Sequence, residues 1–227
     1  MTVEDVALVV IAKAPVPGRS KTRLCPPFTP EQAASLAHAA LLDTLAAVAA
    51  TPARRRILAL DGEADGWLHS GFELHPQRGA GLGERLGNAL AAAGGPALVV
   101  GMDTPQLTPA LLRHAASRLC EPEVDAVLGP AVDGGYWTIG LRRPERAAFD
   151  GVPMSSADTC AAQRRRLVEL GLRTAPLPVL RDVDTAADAA AVARERPDTR
   201  FASAFRAECR LRGPCADKLD SRGGIAV

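Results

Sequence analysis

Four basic side chains stand close together near the start of the chain, at Lys13, Arg19, Lys21 and Arg23. They follow the apolar run Val6–Ala12 and fall within eleven positions. A phosphate group needs several cationic donors at once, and arginine adds a two-pronged fit to its oxygens. Neither the Walker A pattern nor G-x-G-x-x-G is present. The cluster therefore predicts a phosphate-binding loop of another kind, with a merely solvated basic loop as the alternative.

Glycines in two loops are candidates for close approach of a nucleotide to the backbone. Gly18 lies inside the basic segment, where neighbouring amide groups can form an anion-binding nest. Gly81 and Gly83 belong to a glycine-rich loop that precedes a predicted helix. We expect this second loop to face the base, although its sequence does not distinguish guanine from uracil.

Three aspartates are candidates for holding a metal ion. Asp103 directly follows the predicted strand Ala97–Val100, while Asp182 and Asp184 precede a predicted helix. Mg²⁺ and Mn²⁺ take oxygen ligands, and Mg²⁺ often uses only one or two carboxylates beside phosphate oxygens and water. The pattern predicts a metal anchored on Asp103, with Asp182 or Asp184 as a second ligand. The alternative is that these residues only form turns and helix caps.

A second polar cluster, Asp133, Gly134, Gly135 and Tyr136, lies at the start of another predicted strand. Two successive glycines let a ligand approach the backbone closely. Tyr136 and the following Trp137 offer aromatic faces on which a base or sugar can stack. The cluster is predicted to bind substrate, and the alternative is a hairpin turn with ordinary aromatic packing.

The elements that must position these residues alternate between strands and helices. The predicted strands are Val6–Ala12, Ile57–Leu60, Ala97–Val100, Asp125–Leu128, Tyr136–Leu141 and a segment within Leu172–Leu180. The predicted helices are Thr29–Ala50, Glu84–Ala93, Thr108–Leu119, Ala157–Leu170, Thr185–Arg196 and Asp198–Leu211. This alternation predicts an α/β fold with a mostly parallel sheet and helices on both faces. Ligands in such folds bind beyond the carboxyl ends of the strands.

Composition and length narrow the class of protein. The 227 residues carry a net charge of +1, which gives no sign of a nucleic-acid partner. The run Val6–Ala12 is too short to span a membrane. Five cysteines without a C-x-x-C pair argue against a disulfide framework and a zinc site, and favour the cytoplasm. We expect one domain over residues 1–212 and a flexible tail over 213–227, and the oligomeric state is not visible.

Five ordered segments together resemble a known family. They are Val10–Leu24, Gly81–Arg85, Gly101–Pro105, Gly129–Tyr136 and Asp182–Thr185. They resemble a bacterial family of radical-SAM-associated or arsenosugar-type glycosyltransferases. This resemblance implies a Rossmann-like GT-A fold, that of nucleotide-diphospho-sugar transferases, and transfer of a sugar from a nucleotide-diphosphate donor.

Two of these segments are also similar to other enzymes. Lys21–Leu24 and Asp182–Thr185 resemble motifs of 2-phospho-lactate guanylyltransferases, and the layout is more distantly similar to that of molybdenum-cofactor guanylyltransferases. Those relatives imply an NTP held by the basic loop, with Mg²⁺ on Asp103. The chain departs from the first family at Gln106, where an acidic residue is usual, and at Met154, where a tryptophan is frequent.

Three hypotheses follow. The preferred one is a nucleotidyltransferase that joins an NTP to a small acidic acceptor and releases pyrophosphate. In this hypothesis Lys21, Arg23 and Asp103 are catalytic. Lys21 and Arg23 offset charge on the leaving group, and Asp103 holds Mg²⁺ between phosphates. Lys13 and Arg19 then position the triphosphate or the acceptor.

The second hypothesis is a glycosyltransferase that uses a nucleotide-diphosphate sugar, with Asp133 as a base or sugar ligand. Four cations exceed what a diphosphate with bound Mg²⁺ requires, which makes this second choice weaker. The third is a non-catalytic nucleotide-binding protein, supported only by the departure at Gln106.

Overall fold

The computed structural model describes residues 1–64, 66–68 and 70–211. These residues form seven strands: β1 (Ala7–Lys13), β2 (Arg56–Asp61), β3 (Glu73–Pro76), β4 (Ala97–Gly101), β5 (Ala126–Pro130), β6 (Tyr136–Leu141) and β7 (Thr174–Pro176). They also form six α-helices: α1 (Pro30–Ala49), α2 (Leu82–Ala92), α3 (Pro109–Cys120), α4 (Thr159–Glu169), α5 (Ala186–Glu195) and α6 (Arg200–Leu211). The predicted tail at 213–227 lies outside the described residues.

The strands form one sheet in the order β3-β2-β1-β4-β6-β5-β7. All neighbouring pairs are parallel except those of β6, which runs antiparallel to both β4 and β5. The prediction of a mostly parallel sheet is confirmed. After β1 the chain builds outward through β2 and β3, then returns to place β4 on the other side of β1. Such a reversal opens a crevice at the carboxyl ends of the two strands.

Alternating residues of β1 face opposite layers of helices. Leu8 and Val10 pack in a core with α1 and α3, while Ala7 and Val9 pack in a core with α2. All four side chains are buried, as expected for a strand covered on both faces. The sheet is therefore a rigid platform, and the loops at its carboxyl edge are free to carry functional groups.

A third core joins the basic loop to an outer layer of helices. Leu24, at the end of this loop, is fully buried with residues of α1, α5 and α6. The predicted capping boxes at the starts of α1 and α5 are both present, with Thr29 and Thr185 as the caps. These caps fix where α1 and α5 begin, and hence where the loops before them end.

Strand β3 was not predicted from the sequence. It has four residues, Glu73–Pro76, and none of them is buried. A short, exposed edge strand has too few apolar residues to give a periodic signal.

Helix α1 is long and apolar enough by composition to cross a membrane. However, 61% of its most apolar window is buried inside the fold, which is typical of a core helix.

Candidate functional site

A cleft of about 840 Å³ opens at the carboxyl ends of β1 and β4. The structure brings most of the predicted residues together in its lining: Lys13, Arg19, Lys21, Arg23, Asp103, Asp133, Gly135, Tyr136, Asp182 and Asp184. Four predicted glycines, Gly18, Gly81, Gly83 and Gly134, do not belong to this lining. The cleft has the location expected of a ligand site in an open α/β fold.

The basic loop is held by its backbone and by one serine. Ser20 is buried, and its hydroxyl donates to the Ala14 carbonyl at 2.9 Å and accepts from the Val16 amide at 3.2 Å. Leu24 anchors the end of the loop in the outer core. These contacts fix the backbone without using any of the four cationic side chains.

Two of the cations are free to meet a ligand. Lys13 and Arg19 are exposed, and their side chains have no hydrogen-bond or ion-pair partner in the part of the chain that the structure describes. Arg23 is 72% exposed and lies 3.3 Å from Asp184. Such solvated cations at the mouth of a crevice attract anions to it.

Lys21 is placed differently from the other three cations. Its ammonium lies 2.9 Å from Asp103 Oδ1 and 2.9 Å from Asp184 Oδ1, with the side chain only 10% exposed. Burial acts to lower the pKa of Lys21, but Asp103 and Asp184 outweigh it and raise the pKa, so the ammonium stays charged. Lys21 has a left-handed backbone, with φ of 51°. The loop thus delivers one positive charge between Asp103, just after β4, and Asp184, just before α5.

The carboxylate of Asp182 has an oxygen that can still accept a hydrogen bond or bind a cation. Its Oδ1 is buried and accepts no hydrogen bond within the described residues. Burial, with the charges of Asp103 and Asp133, raises the pKa of Asp182 to about 7, although Lys21 opposes this. The backbone amide of Val183 donates to the Asp103 carbonyl at 2.9 Å, which ties this segment to the end of β4.

The donor set suits a hard divalent cation only in part. Asp103, Asp182 and Asp184 offer oxygen ligands alone, and the orphaned Asp182 Oδ1 is available to a cation. However, the described residues hold no group of three His, Cys, Asp or Glu side chains arranged to bind a metal. Lys21 lies between Asp103 and Asp184 instead. The arrangement fits an ion that takes one or two carboxylates and completes its shell with phosphate oxygens and water.

Glycine is required at position 134 by the packing of the protein itself, and not by the predicted approach of a ligand. Its φ is +90°, and a Cβ built on it would lie 1.9 Å from the Ala157 carbonyl oxygen. The close approach is therefore made by the protein's own chain. Gly83 is less constrained, since a Cβ there would lie 3.3 Å from the flexible end of the Met154 side chain. Gly18 shares the positive φ of Gly134, at +73°, but nothing lies within 4 Å of a Cβ built on it.

The expectation that Trp137 stacks on a ligand is wrong. Trp137 is 1% exposed, and its indole donates to the Pro178 carbonyl at 2.9 Å. Tyr136 lines the cleft, but its hydroxyl donates to Gln163 Oε1 at 3.2 Å and contacts the Met154 sulfur at 3.8 Å. Burial raises the pKa of Tyr136, so the phenol stays protonated.

Among the lining residues that the sequence analysis did not name as site candidates, three make polar contacts that shape the cleft: Asp61, Gln77 and Arg85. Arg85 pairs with Asp61 at 3.0 Å, and the Gln77 amide donates to the carbonyls of Ala12 and Ala59 at 2.7 and 3.1 Å. Asp61 ends β2, so its strand-end position was an available signal, whereas Arg85 lies in the first turn of α2, just after the glycine-rich loop. Gln77 follows β3, which gave no signal of its own.

Gln106 lies outside the cleft lining. It is 4% exposed, and its amide donates to the Arg181 carbonyl at 2.7 Å. Its role is to hold the segment that carries Asp182. Position 106 therefore contributes no group of its own to the described lining of the cleft.

Solved structures of similar fold confirm the predicted fold class. A provisionally named nucleotide-diphospho-sugar transferase from Desulfovibrio desulfuricans G20 is 28% identical, with a TM-score of 0.82, over 96% of this chain and 99% of that chain. At lower identity, 2-C-methyl-D-erythritol 4-phosphate cytidylyltransferase from Thermus thermophilus shares the fold at 15%, with a TM-score of 0.52, over 90% of this chain and 98% of that one. Rv0371c from Mycobacterium tuberculosis H37Rv, solved with manganese, shares it at 21%, with a TM-score of 0.50, over 83% and 97%.

No curated protein sequence matches the chain. The sequence profile of one family, described as "Uncharacterized protein conserved in bacteria (DUF2064)", matches residues 42–156. This match covers just over half of the chain and includes the end of β4 and the Asp133–Tyr136 cluster. The chain therefore belongs to the DUF2064 family.

Proposed function

We propose that the cleft binds the phosphate chain of a nucleotide and that the protein is a nucleotide-using transferase. The reaction we favour joins an NTP to a small acceptor and releases pyrophosphate. The observation that carries this proposal is the meeting of four loop cations with Asp103, Asp182 and Asp184 at the switch point of the sheet. We assign this activity to one unit, residues 1–212, in the cytoplasm.

The four cations divide into two roles. Lys13 and Arg19 have no partner among the described residues, and we assign them to the phosphate tail of the nucleotide. Lys21 and Arg23 already lie against carboxylates. We propose that Lys21 and Arg23 offset the negative charge that develops on the departing pyrophosphate.

Asp103 and Asp182 would hold Mg²⁺ or Mn²⁺. We prefer Asp182 to Asp184 as the second ligand, because Asp184 is already paired with Lys21 and Arg23 while Asp182 Oδ1 has no described partner. When bound, the ion would supply positive charge to offset that of the phosphate groups. The manganese complex of the Rv0371c relative agrees with a divalent ion in this fold.

The acceptor is assigned to the opposite wall of the cleft. That wall consists of Asp133, Gly135, Tyr136 and the segment from Met154 to Thr159, and its described lining contains no lysine or arginine. An acceptor hydroxyl can approach Asp133 there, while an acidic group on the same molecule would turn toward Lys13 or Arg19. The base is assigned to the side of Gly81, Gly83 and Arg85.

Transfer of a sugar from a nucleotide-diphosphate donor is the second candidate. The name of the 28% identical D. desulfuricans relative favours it, as does a cleft wall without cations, which suits a neutral sugar. The narrower resemblance to radical-SAM-associated or arsenosugar-type enzymes would also favour it. Four basic residues in one loop remain the reason to place it second.

A non-catalytic nucleotide-binding role loses its only support. That hypothesis depended on Gln106 weakening a metal site. Gln106 instead holds the Arg181 carbonyl from a buried position outside the cleft lining.

A ligand-dependent thermal shift tests the proposal. We expect one NTP to stabilise the protein in a Mg²⁺-dependent way, by about 2.7 kcal/mol at 100 times its dissociation constant. Asp103→Asn should lose the metal-dependent part of the shift, because it removes the anchoring carboxylate. The matched control Asp150→Asn changes an exposed aspartate outside the cleft and should keep the full shift.

Two results would redirect the assignment. A shift produced chiefly by one nucleotide-diphosphate sugar would make glycosyl transfer the primary function. An Asp103→Asn protein with an unchanged metal-dependent shift would show that the metal is held elsewhere.

A further inference from the structure

Lysine is rare in this chain. Only three of the 27 lysine and arginine residues are lysines, at positions 13, 21 and 218. Two of them, Lys13 and Lys21, line the cleft. A lysine ammonium is a compact point charge on a flexible stem, whereas an arginine guanidinium is a planar group that pairs in a fixed geometry. The two cleft lysines are therefore the cations of the site that are best suited to change partners.

The two cleft lysines differ in their surroundings. Lys13 is exposed, while the side chain of Lys21 is only 10% exposed. The Lys21 ammonium lies 2.9 Å from Oδ1 of Asp103 and 2.9 Å from Oδ1 of Asp184. A divalent metal ion is also a compact charge that takes carboxylate oxygens as ligands. Lys21 therefore makes the contacts with Asp103 that a bound metal ion would make.

The two carboxylates that hold Lys21 do not depend on it equally. Asp184 has a second cation, because the Arg23 guanidinium lies 3.3 Å from its Oδ2. For Asp103, Lys21 is the only side-chain partner within the part of the chain that the structure describes. The Asp103 side chain is 38% exposed and lines the cleft, so an ion that enters the cleft can reach it. Lys21 can thus leave both carboxylates without stranding Asp184, provided that another cation takes Asp103.

The backbone around Lys21 is fixed on both sides. Ser20 is buried and donates to the Ala14 carbonyl at 2.9 Å, and Leu24 is fully buried in the outer core. A change of partner by Lys21 therefore requires only rotation of its own side chain. The loop backbone can keep its position while the ammonium moves.

We propose that the Lys21 ammonium and a divalent ion compete for Asp103, and that binding of the ion releases the ammonium into the cleft. The physical reason is repulsion, since an ammonium and a divalent ion on one poorly solvated carboxylate are like charges at short range. This inference rests on the proposed function for the presence of an ion on Asp103. It adds that Lys21 weakens metal binding to the free protein and is freed to pair with a phosphate group once the ion is bound.

The affinity for Mn²⁺ alone, measured from the electron paramagnetic resonance signal of the free ion, tests the competition. We expect Lys21→Met to bind Mn²⁺ at least about tenfold more tightly than the wild type, because the competing charge is removed from the site. Lys13→Met is the matched control, with the same substitution in the same cleft. It should change the affinity by less than about threefold, because a solvated charge without a direct partner is screened. Asp103→Asn should lose the binding.

Acetylation of the wild-type lysines gives a second readout that needs no variant. In metal-free buffer Lys21 should react much more slowly than Lys13, because it is paired and nearly buried. Saturating Mn²⁺ should raise the acetylation rate of Lys21 several-fold and leave that of Lys13 unchanged. Mass spectrometry of the modified peptides measures both lysines in one sample, so Lys13 serves as the internal reference.

The inference is overturned if Lys21→Met gains no more Mn²⁺ affinity than Lys13→Met, or if Mn²⁺ leaves the acetylation of Lys21 unchanged. In both cases the metal site of the proposed function still stands, provided that Asp103→Asn loses the ion. If neither the wild type nor Lys21→Met binds Mn²⁺, or if Asp103→Asn binds it as the wild type does, the metal site is wrong and the inference is overturned with it. Should Lys21→Met fail to fold, acetylation of the wild-type protein decides alone.

Discussion

The two walls of the cleft are built in opposite ways. In the basic loop, Ser20 and the buried Leu24 fix the backbone, so the cationic ends of Lys13 and Arg19 are left for a ligand. On the opposite wall the polar groups are bound internally, since Asp133 accepts from the Gly135 amide at 2.9 Å and Tyr136 donates to Gln163. One wall therefore offers charge, and the other offers a fixed shape.

Glycines in the two segments that carry these walls also differ, although neither glycine lines the cleft. Gly18 and Gly134 both have a left-handed backbone, but only Gly134 is pressed against another part of the chain. We therefore expect the basic loop to tolerate an added side-chain atom at Gly18 but to lose ligand affinity when its cations are removed. We expect the segment around Gly134 to lose stability when a side-chain atom is added there.

The largest effect on stability is expected from Gly134→Ala. Its Cβ would meet the Ala157 carbonyl at 1.9 Å in a backbone region unfavourable to alanine. Overpacking and the left-handed backbone together should cost roughly 3 kcal/mol or more of unfolding free energy. Chemical denaturation measures this directly.

Gly18→Ala is the matched control for that experiment. Nothing lies within 4 Å of its Cβ, so only the backbone penalty of about 1 kcal/mol should apply. Equal losses in the two variants would contradict the difference between the walls.

A smaller loss of stability is expected from Lys21→Met in the absence of metal. The change keeps an unbranched side chain but leaves Asp103 and Asp184 without the ammonium between them. Because these carboxylates are partly exposed, we expect a cost of about 2 kcal/mol, below that of breaking a fully buried pair. Added Mg²⁺ should restore part of this loss, as thermal unfolding with and without the ion would show. If Lys21→Met is as stable as the wild type in metal-free buffer, the ammonium does not hold these carboxylates together.

Tyr136→Phe should have the smallest effect of the three. It removes the hydroxyl that donates to the buried Gln163, whose own amide still donates to the Ala148 carbonyl at 2.6 Å. Loss of one buried hydrogen bond should cost about 1 kcal/mol of unfolding free energy. Nucleotide affinity, measured by calorimetry, should not change. A large loss of nucleotide affinity at unchanged stability would instead make the Tyr136 hydroxyl a ligand group.

The fold was predictable because its main signals are local. The continuous apolar run of β1, the capping boxes of α1 and α5, and the alternation of elements each depend on neighbouring residues. Strand β3 escaped prediction because it is short and exposed, and depends on pairing with β2.

The site was predictable to the extent that strand ends mark it. The loop cations and Asp103 follow buried strands directly, so their meeting in one cleft follows from a parallel sheet. The burial of Trp137 and the pairing of Arg85 with Asp61 depend on contacts between distant segments. The spacing of residues within one segment does not predict such contacts. The placement of Lys21 between Asp103 and Asp184 also depends on distant segments and could not be predicted from local spacing.

The measurement that tests the central claim most directly is calorimetric binding of a nucleoside mono-, di- and triphosphate with Mg²⁺, for the wild type and for Lys13→Ala/Arg19→Ala. If the basic loop holds the phosphate chain, wild-type affinity should rise with each added phosphate, and the double variant should lose at least about tenfold of the affinity for the triphosphate, since each charge-assisted hydrogen bond is worth roughly 1.5–3 kcal/mol. Its affinity for the monophosphate should change much less. The same dependence on phosphate number in both proteins would contradict the account, because the phosphate chain would then lie away from Lys13 and Arg19.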